Sequence, residues 1–336
     1  TRSREAIQSR RVTVGDLVRQ RGRPLEERSG ASRRARCSRT LAQRRAPEVG
    51  RGRTRGDVVV PELPEVEVIR RDLERDAIGR RIKEVQVKLP RIIRRHKTKK
   101  EFTDALTGAK ITRIDRRGKY ILCYLDNGQV LVMHLGMSGR IERSTGRKAP
   151  EKHTHVVLKL QTGGELRFID MRQFGELFVT AGDGLDGVKE LQHIALDPLA
   201  DSFTWQIFSE IVSSRKMKLK TLLMDQKFIS GIGNIYSDEI LWAAGLRYER
   251  PSDQLTSQEM RRLYRAMQEV LQEGIRHGGV TLEDETYRNL YGKQGEFQEH
   301  LKVYGQEGRP CRRCRTPIVR DRWGNRSTYY CPQCQV

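Results

Sequence analysis

The stretch CRRCRTPIVRDRWGNRSTYYCPQC, residues 311–334, holds four of the six cysteines of this 336-residue chain. Each Cys-x2-Cys pair can offer two thiolates to one ion from a tight turn, and two pairs complete a tetrahedral Zn²⁺ shell. Because sulfur would fill all four positions, we expect one structural zinc. A unit this small needs a bound metal in order to fold. Two disulfides are the alternative, although the chain has no apolar run typical of a secretion signal. The predicted ligands are Cys311, Cys314, Cys331 and Cys334.

The interior of the same stretch predicts a hairpin, with Arg326 directly after the turn residues Trp-Gly-Asn. An arginine at a turn held by a metal unit is well placed to contact a phosphate. The spacing alone fits a solvated charge equally well. Of the other two cysteines, Cys123 lies in a predicted apolar strand, which favours a place in the core, and Cys37 lies in the first sixty residues.

The charge of the chain is +22, which suggests a polyanionic partner, most often nucleic acid, with a merely basic surface as the alternative. Residues 1–60 hold 17 Arg, no Lys and 6 acidic residues, and the other 276 residues carry half of the net charge. With almost no aromatic residues, this first segment is predicted to be disordered. Its composition resembles translated GC-rich DNA upstream of a start codon; an arginine-rich arm that binds nucleic acid is the alternative.

The rest of the composition points to a bacterial cytoplasmic protein. No run of 18 or more apolar residues occurs, so no membrane span is expected. Paired cysteines in metal-ligand spacing fit a reducing compartment.

Residues 61–195 predict an antiparallel β-domain with a helix at its front. Val66, Ile69 and Leu73 mark one face of an amphipathic helix that begins near Pro64. Apolar runs around Asp126-Asn127-Gly128 and around Gly163-Gly164 then predict two hairpins.

Beyond this domain the period becomes helical, over residues 204–213, 218–228, 235–244 and 256–276. Between two of these helices stands Gly231-Ile232-Gly233-Asn234. Glycines before a helix N-terminus can form an anion site, and an ordinary connection between helices fits the same residues.

Six motifs follow one another along residues 61–336: PELPEVE at 61–67, RRGKY at 116–120, HLGMSGR at 134–140, DMRQFG at 170–175, KTLLMDQKFISGIGNIYSDEIL at 220–241, and the cysteine stretch. In this order and spacing they resemble the bacterial formamidopyrimidine-DNA glycosylases. The resemblance implies an α+β multidomain fold. Its expected parts are a disordered extension (1–60), an N-terminal antiparallel β-sandwich with a leading helix (61–195), a helix–two-turns–helix DNA-binding domain with a lesion-capping loop (196–300) and a zinc finger (301–336).

The resemblance also implies an activity, that of a bifunctional DNA glycosylase and abasic-site lyase of base excision repair. Such enzymes excise oxidised purines, 8-oxoguanine and formamidopyrimidines, and cut the strand by β,δ-elimination. Pro61 matches the nucleophile, because an N-terminal proline is a secondary amine that can form a Schiff base with the sugar. Glu62 matches the general acid/base. Lys119 completes the catalytic set and would contact a phosphate near the lesion, although alone it fits a solvated charge.

The partner implied is double-stranded DNA containing oxidised bases, bound by a monomer. Lys220, Asn234 and Arg326 match residues that grip and kink the backbone while the lesion leaves the stack. The hole left behind would be filled by Met137, Arg172 and Phe174, with the arginine bonding to the orphaned base. Without the resemblance, the methionine and the phenylalanine would be assigned to the core.

Two other functions remain open from the sequence. If residues 1–60 stay attached, the nitrogen of Pro61 is a tertiary amide, and the protein would bind damaged DNA without catalysis. Val60, however, stands where the family has its initiator methionine and can be encoded by GTG, so we expect the start there. The second alternative is an oxidised-pyrimidine glycosylase like endonuclease VIII. The motif PELPE favours purines, while divergence around residues 285–291 weakens that preference.

Overall fold

The computed structural model of the chain describes residues 60–192, 194–282 and 285–336. The predicted disordered extension, except for Val60, lies outside these ranges.

The first helix, α1 (Leu63–Ala77), begins where the prolines predict it. Glu62 is its N-cap, and the Glu62 backbone N–H donates to Glu65 Oε2 at 2.8 Å, so the helix starts with a capping box. The predicted apolar face is fully buried. This burial fixes α1 against the β-domain and places Glu62 at its end.

The strands of the N-terminal part of the described chain are β1 (Ile82–Val87), β2 (Ile111–Arg117), β3 (Tyr120–Leu125), β4 (Gln129–His134), β5 (Gly139–Ser144), β6 (Thr154–Leu160), β7 (Glu165–Asp170) and β8 (Glu176–Ala181). They form two four-stranded antiparallel sheets, with strand orders β1-β6-β7-β5 and β2-β3-β4-β8. Apolar side chains from both sheets and from α1 share one buried cluster, so the sheets pack face to face as a sandwich. Both predicted hairpin turns are present, joining β3 to β4 and β6 to β7. Two short helices also belong to this part of the chain, α2 (Lys99–Leu106) and α3 (Lys189–Gln192).

Helices dominate the chain after β8: α4 (Trp205–Ser213), α5 (Leu219–Met224), α6 (Asn234–Ala244) and α7 (Ser257–Arg276). The predicted helix over 218–228 ends earlier, because Asp225 is already extended and begins the turn toward the glycine loop. These helices share one apolar core with the C-terminal segment. The residues of that segment in the core are Cys311, Ile318, Tyr329 and Cys331.

The C-terminal hairpin consists of β9 (Val319–Trp323) and β10 (Arg326–Tyr330), joined by a two-residue turn at Gly324-Asn325. Sandwich, helical bundle and cysteine-bearing hairpin together confirm the predicted fold class. Among the described residues, no helix is long and apolar enough to span a membrane.

Candidate active site

The carboxylate of Glu62 is held by the N-terminus of α6. Its two oxygens accept the backbone N–H groups of Gly233 at 2.7 Å, Ile235 at 2.9 Å and Tyr236 at 3.2 Å. The glycine turn and helix N-terminus therefore do form an anion site, as one of the two interpretations of the sequence predicted. The anion is the protein's own glutamate, 171 residues away along the chain.

Glycines in the turn make this close approach possible. A Cβ on Gly233 would lie 2.4 Å from Glu62 Cδ, and one on Gly231 would lie 2.6 Å from Leu63 Cβ. Gly231 also has a φ of +85°, and its carbonyl accepts the Leu63 N–H at 2.9 Å. Any side chain at either position would push the start of α1 away from α6.

Two opposing effects set the proton affinity of Glu62. Burial raises its pKa above the ordinary value, while the nearby ammonium of Lys119 and the three helix amides lower it. Lys119 stands in the β2–β3 turn and is half-buried. Its own pKa is lowered by burial, against the attraction of Glu62. The pair is thus an acid and a base whose proton affinities have moved toward each other, beside the buried Pro61.

Glu65 connects this carboxylate to two other segments. Besides the Glu62 N–H, it accepts the Tyr236 hydroxyl and the Val280 N–H on Oε1, both at 2.8 Å. Burial, reinforced by the neighbouring charge of Glu62, raises the pKa of Glu65 to about 7. The start of α1, the start of α6 and the segment after α7 therefore meet at one carboxyl group.

His134 lies at the end of β4, with its ring centroid 4.5 Å from that of Tyr120. Burial, followed by the charge of Lys119, lowers its pKa to about 4. The ring is neutral at physiological pH, so His134 offers no cation to a phosphate.

Two turns of the sandwich carry the predicted void-filling residues. Met137 lies in the β4–β5 turn, and Arg172 and Phe174 lie in the β7–β8 turn. The buried carboxylate of Asp170 ties the turns together, since it accepts the Ser138 hydroxyl at 2.5 Å and the Arg172 N–H at 3.2 Å. Phe174 is 47% exposed, and the Arg172 guanidinium lies 5.6 Å from its ring centroid. Phe174 is therefore not a core residue.

The four paired cysteines converge on one point, with all four sulfurs within 4.8 Å of one another. Cys311 and Cys334 Sγ are 3.9 Å apart, and Cys314 and Cys331 Sγ are 3.4 Å apart. A tetrahedral Zn²⁺ with bonds of about 2.3 Å requires sulfurs about 3.8 Å apart, so the cluster fits the ion. The Trp242 indole N–H also donates to Cys311 Sγ at 3.4 Å, which links the cluster to α6.

Comparison with known proteins shows the same three-part order. Residues 60–177 match the family model described as the formamidopyrimidine-DNA glycosylase N-terminal domain, 194–286 match the H2TH domain of that glycosylase, and 308–336 match the zinc finger found in FPG and IleRS. The formamidopyrimidine-DNA glycosylase of Pelotomaculum thermopropionicum is 44% identical over 276 residues, 82% of this chain and 99% of that one. The chain belongs to the formamidopyrimidine-DNA glycosylase family. The predicted single structural zinc is confirmed with it.

Solved structures of the family share the fold. MutM (Fpg) from Thermus thermophilus is 40% identical, with a TM-score of 0.74 over 82% of this chain and 98% of that one. The Lactococcus lactis Fpg in complex with DNA containing an abasic site is 32% identical, with a TM-score of 0.75 over 82% and 99% of the two chains. Among curated relatives, the Nocardioides enzyme is 45% identical over 280 residues, 82% of this chain and 94% of that one.

One residue predicted from the family resemblance lies elsewhere than expected. Lys220 was predicted to contact DNA, but its side chain is fully buried and its ammonium donates to Asp238 Oδ1 at 2.6 Å. An ammonium enclosed in this way cannot touch a phosphate in this conformation. In this structure Lys220 is thus a buried ion-pair partner, and its contact with DNA stays a prediction.

The other two predicted backbone contacts lie on neighbouring elements. Asn234 is the first residue of α6, and its Nδ2 donates to the Ser327 carbonyl of β10 at 3.0 Å. Its Oδ1 is buried and, within the described ranges, has no hydrogen-bond partner. Arg326 precedes Ser327 and is exposed.

Three supporting residues were not among those predicted from the sequence. Tyr236, Asp238 and Glu239 are buried polar side chains on α6, and each of them bonds to a distant segment. The sequence does contain a signal for Asp238 and Glu239, which stand side by side in the apolar run IYSDEILW. Acidic residues in a run that is buried need partners. Nothing in the sequence, however, identifies those partners.

The Glu65 network predicts a pH-dependent stability. Since the folded pKa of about 7 lies above the ordinary 4.5, the stabilisation from this group is complete below about pH 4.5 and is lost as the pH rises through 7. Glu65→Gln removes that titration, so its melting temperature should fall less than that of the wild type between about pH 5.5 and 8. Thermal unfolding of both proteins across this range provides the test. Equal slopes would show that Glu65 does not titrate there.

Proposed function

We propose that this protein is a bifunctional DNA glycosylase and abasic-site lyase that excises oxidised purines from double-stranded DNA, with Pro61 as the nucleophile. One observation carries the proposal. The residue directly after Pro61 is a buried glutamate, held in place by the amides of a helix from another part of the chain. A carboxyl group oriented so firmly beside a potential amine nucleophile is suited to proton transfer during attack on a sugar.

The chemistry follows from the secondary amine that Pro61 provides when it is the first residue. Its lone pair attacks the anomeric carbon as the bond to the base breaks, and the departing base takes up a proton. Glu62 is placed to pass the proton of the attacking N–H to the ring oxygen of the sugar. Opening of the sugar ring gives an iminium ion on the proline nitrogen. The positive charge acidifies the neighbouring sugar proton, and its removal expels the 3′ phosphate. The lowered pKa of Lys119 fits a group near these reacting atoms.

The DNA would lie across the surfaces that carry the exposed residues. Arg326 and Asn234 belong to adjoining elements and would bind phosphates near the lesion, with Lys119 facing the same region. Met137, Arg172 and Phe174 would occupy the space left by the extruded base. The Lactococcus lactis Fpg has been solved in complex with DNA containing an abasic site, and a mutant of it in complex with DNA containing Fapy-dG, which supports the same substrate class here. All of these residues come from one chain, which is consistent with a monomer.

Zinc has a structural role in this proposal. Four thiolates fill its coordination shell and leave no position for a reacting group. The ion would therefore shape the hairpin that presents Arg326 rather than take part in a chemical step.

Borohydride trapping tests the function directly. A protein whose first residue is Pro61, incubated with an 8-oxoguanine duplex and sodium borohydride, should form a covalent adduct through reduction of the iminium ion. The same protein with one additional glycine before Pro61 should form none, because its proline nitrogen is an amide.

Binding to a duplex with a tetrahydrofuran abasic analogue is the control, and both proteins should retain it. Absence of an adduct from the protein that begins at Pro61 would refute the proposal. Trapping on thymine glycol in preference to 8-oxoguanine would reassign the substrate to oxidised pyrimidines.

A further inference from the structure

A buried ion pair joins α5 to α6, and its carboxylate is also bonded to the hairpin of the zinc unit. Lys220 Nζ donates to Asp238 Oδ1 at 2.6 Å, and the two side chains are 0% and 1% exposed. The same carboxylate accepts the Thr328 hydroxyl at 2.7 Å and the Tyr329 N–H at 2.9 Å, both from β10. Asp238 is thus bonded at once to α5, through Lys220, and to two consecutive residues of the hairpin.

Such a pair specifies geometry more than it adds stability. Desolvation of two charges offsets most of their attraction, and apolar residues of similar volume would often hold the elements together as well. Apolar contacts are not directional, whereas hydrogen bonds are. The hydrogen bonds around Asp238 are satisfied together only when β10 lies at one height along α6, because a shift of the strand would take the Thr328 hydroxyl and the Tyr329 N–H away from the buried carboxylate.

That alignment controls the position of Arg326. The neighbouring Ser327 carbonyl accepts Asn234 Nδ2 at 3.0 Å and lies 3.5 Å from Lys220 Nζ. Arg326, directly before it, projects to the surface, where its charge influences the pKa values of Lys119 and Lys220. The exposed arginine therefore directly precedes a strand segment that is fixed to α6.

We propose that Lys220 and Asp238 are positioning residues for DNA binding. They hold β10 so that Arg326 and Asn234 present their donors to phosphates at a fixed spacing. The inference rests on the proposed function and deepens it. It also gives Lys220 a role that does not require contact with DNA.

A double-mutant cycle tests the inference, with Arg326→Ala as the common background. Each protein binds a duplex with a tetrahydrofuran abasic analogue, and fluorescence anisotropy gives the Kd over a range of salt concentrations. Arg326→Ala should weaken binding about tenfold and reduce the slope of log Kd against log salt by about 0.9, the value for one phosphate contact. Asp238→Asn and Thr328→Val should each weaken binding about fivefold when Arg326 is present, and by less than about twofold when it is alanine.

Glu239→Gln is the matched control. It lies next to Asp238 on α6 and is equally buried, but its carboxylate holds the amides of Lys302, Val303 and Tyr304 rather than the hairpin. Its effect on binding should be the same with and without Arg326. Every variant should retain one equivalent of zinc; if Asp238→Asn loses the metal, the isosteric Thr328→Val decides.

The outcomes separate the two proposals. If the wild type does not prefer the abasic-analogue duplex over undamaged DNA, the proposed function fails and this inference fails with it. If the wild type binds but Thr328→Val is as harmful without Arg326 as with it, the ion pair is merely structural and only the inference is overturned.

Discussion

Replacing Glu62 with glutamine should lower the single-turnover rate of 8-oxoguanine excision by about 10²–10⁴-fold, the usual contribution of a positioned general acid or base. Glutamine has the same shape but carries no exchangeable carboxyl proton. One of its two terminal atoms becomes a donor facing amides that already donate, since Gly233 and Tyr236 share one carboxylate oxygen and Ile235 takes the other. The variant therefore loses both the proton and part of its fixed orientation.

Glu74→Gln is the control for this experiment. Glu74 lies on the same helix, and its exposed carboxylate pairs with Arg70 at 2.9 Å, so its replacement should leave excision unchanged. Both variants should bind the abasic-analogue duplex within a few-fold of the wild type. Excision by Glu62→Gln within about threefold of the wild-type rate would remove Glu62 from the mechanism.

Loss of zinc should weaken binding to the same duplex by about a hundredfold or more. The apparent binding energy of a structural zinc, about 10–16 kcal/mol, is also the folding energy of its unit, so the hairpin should not persist without it. Arg326 would then lose its support. Cys331→Ser, or chelation, should show this loss together with a change in tryptophan emission, because Trp242 donates to Cys311 Sγ and lies 4.0 Å from the Arg313 guanidinium.

Cys123→Ala is the matched comparison for the cysteine variant. Cys123 lies buried in β3, and burial raises the pKa of its thiol to about 12, so it cannot serve as a ready thiolate ligand. This variant should keep one equivalent of zinc and full DNA affinity. Wild-type affinity in a zinc-free Cys331→Ser protein would show that the hairpin folds without the metal.

Much of this architecture could be predicted from local sequence patterns. Cysteine spacing specifies the metal, since each close pair carries its own geometry, and turn residues such as Asp126-Asn127-Gly128 indicate their hairpins. Strands such as β5, with the sequence GRIERS, lack a clear apolar alternation, and β5 forms an edge of its sheet. Such a strand could not be recognised before its neighbour was known.

In the candidate site, too, some features could be predicted from local sequence and others depend on tertiary packing. Motifs identified Glu62 and Lys220, but only tertiary packing shows that one glutamate binds a helix 171 residues away and that the lysine is enclosed. Both side chains are ionisable, and local sequence does not determine whether a charged group meets solvent or a buried partner. The family resemblance therefore singled out Lys220 but did not indicate its buried surroundings.

The distance along the chain between Glu62 and its amide partners has a consequence for biosynthesis. On a ribosome, Pro61 and Glu62 emerge well before Tyr236, which follows 174 residues after Glu62. Until that helix exists, the carboxyl group is a flexible, solvated side chain without directed proton transfer. A nascent or truncated polypeptide would therefore lack the oriented carboxyl group, and the complete reactive centre would form only after most of the molecule has been translated.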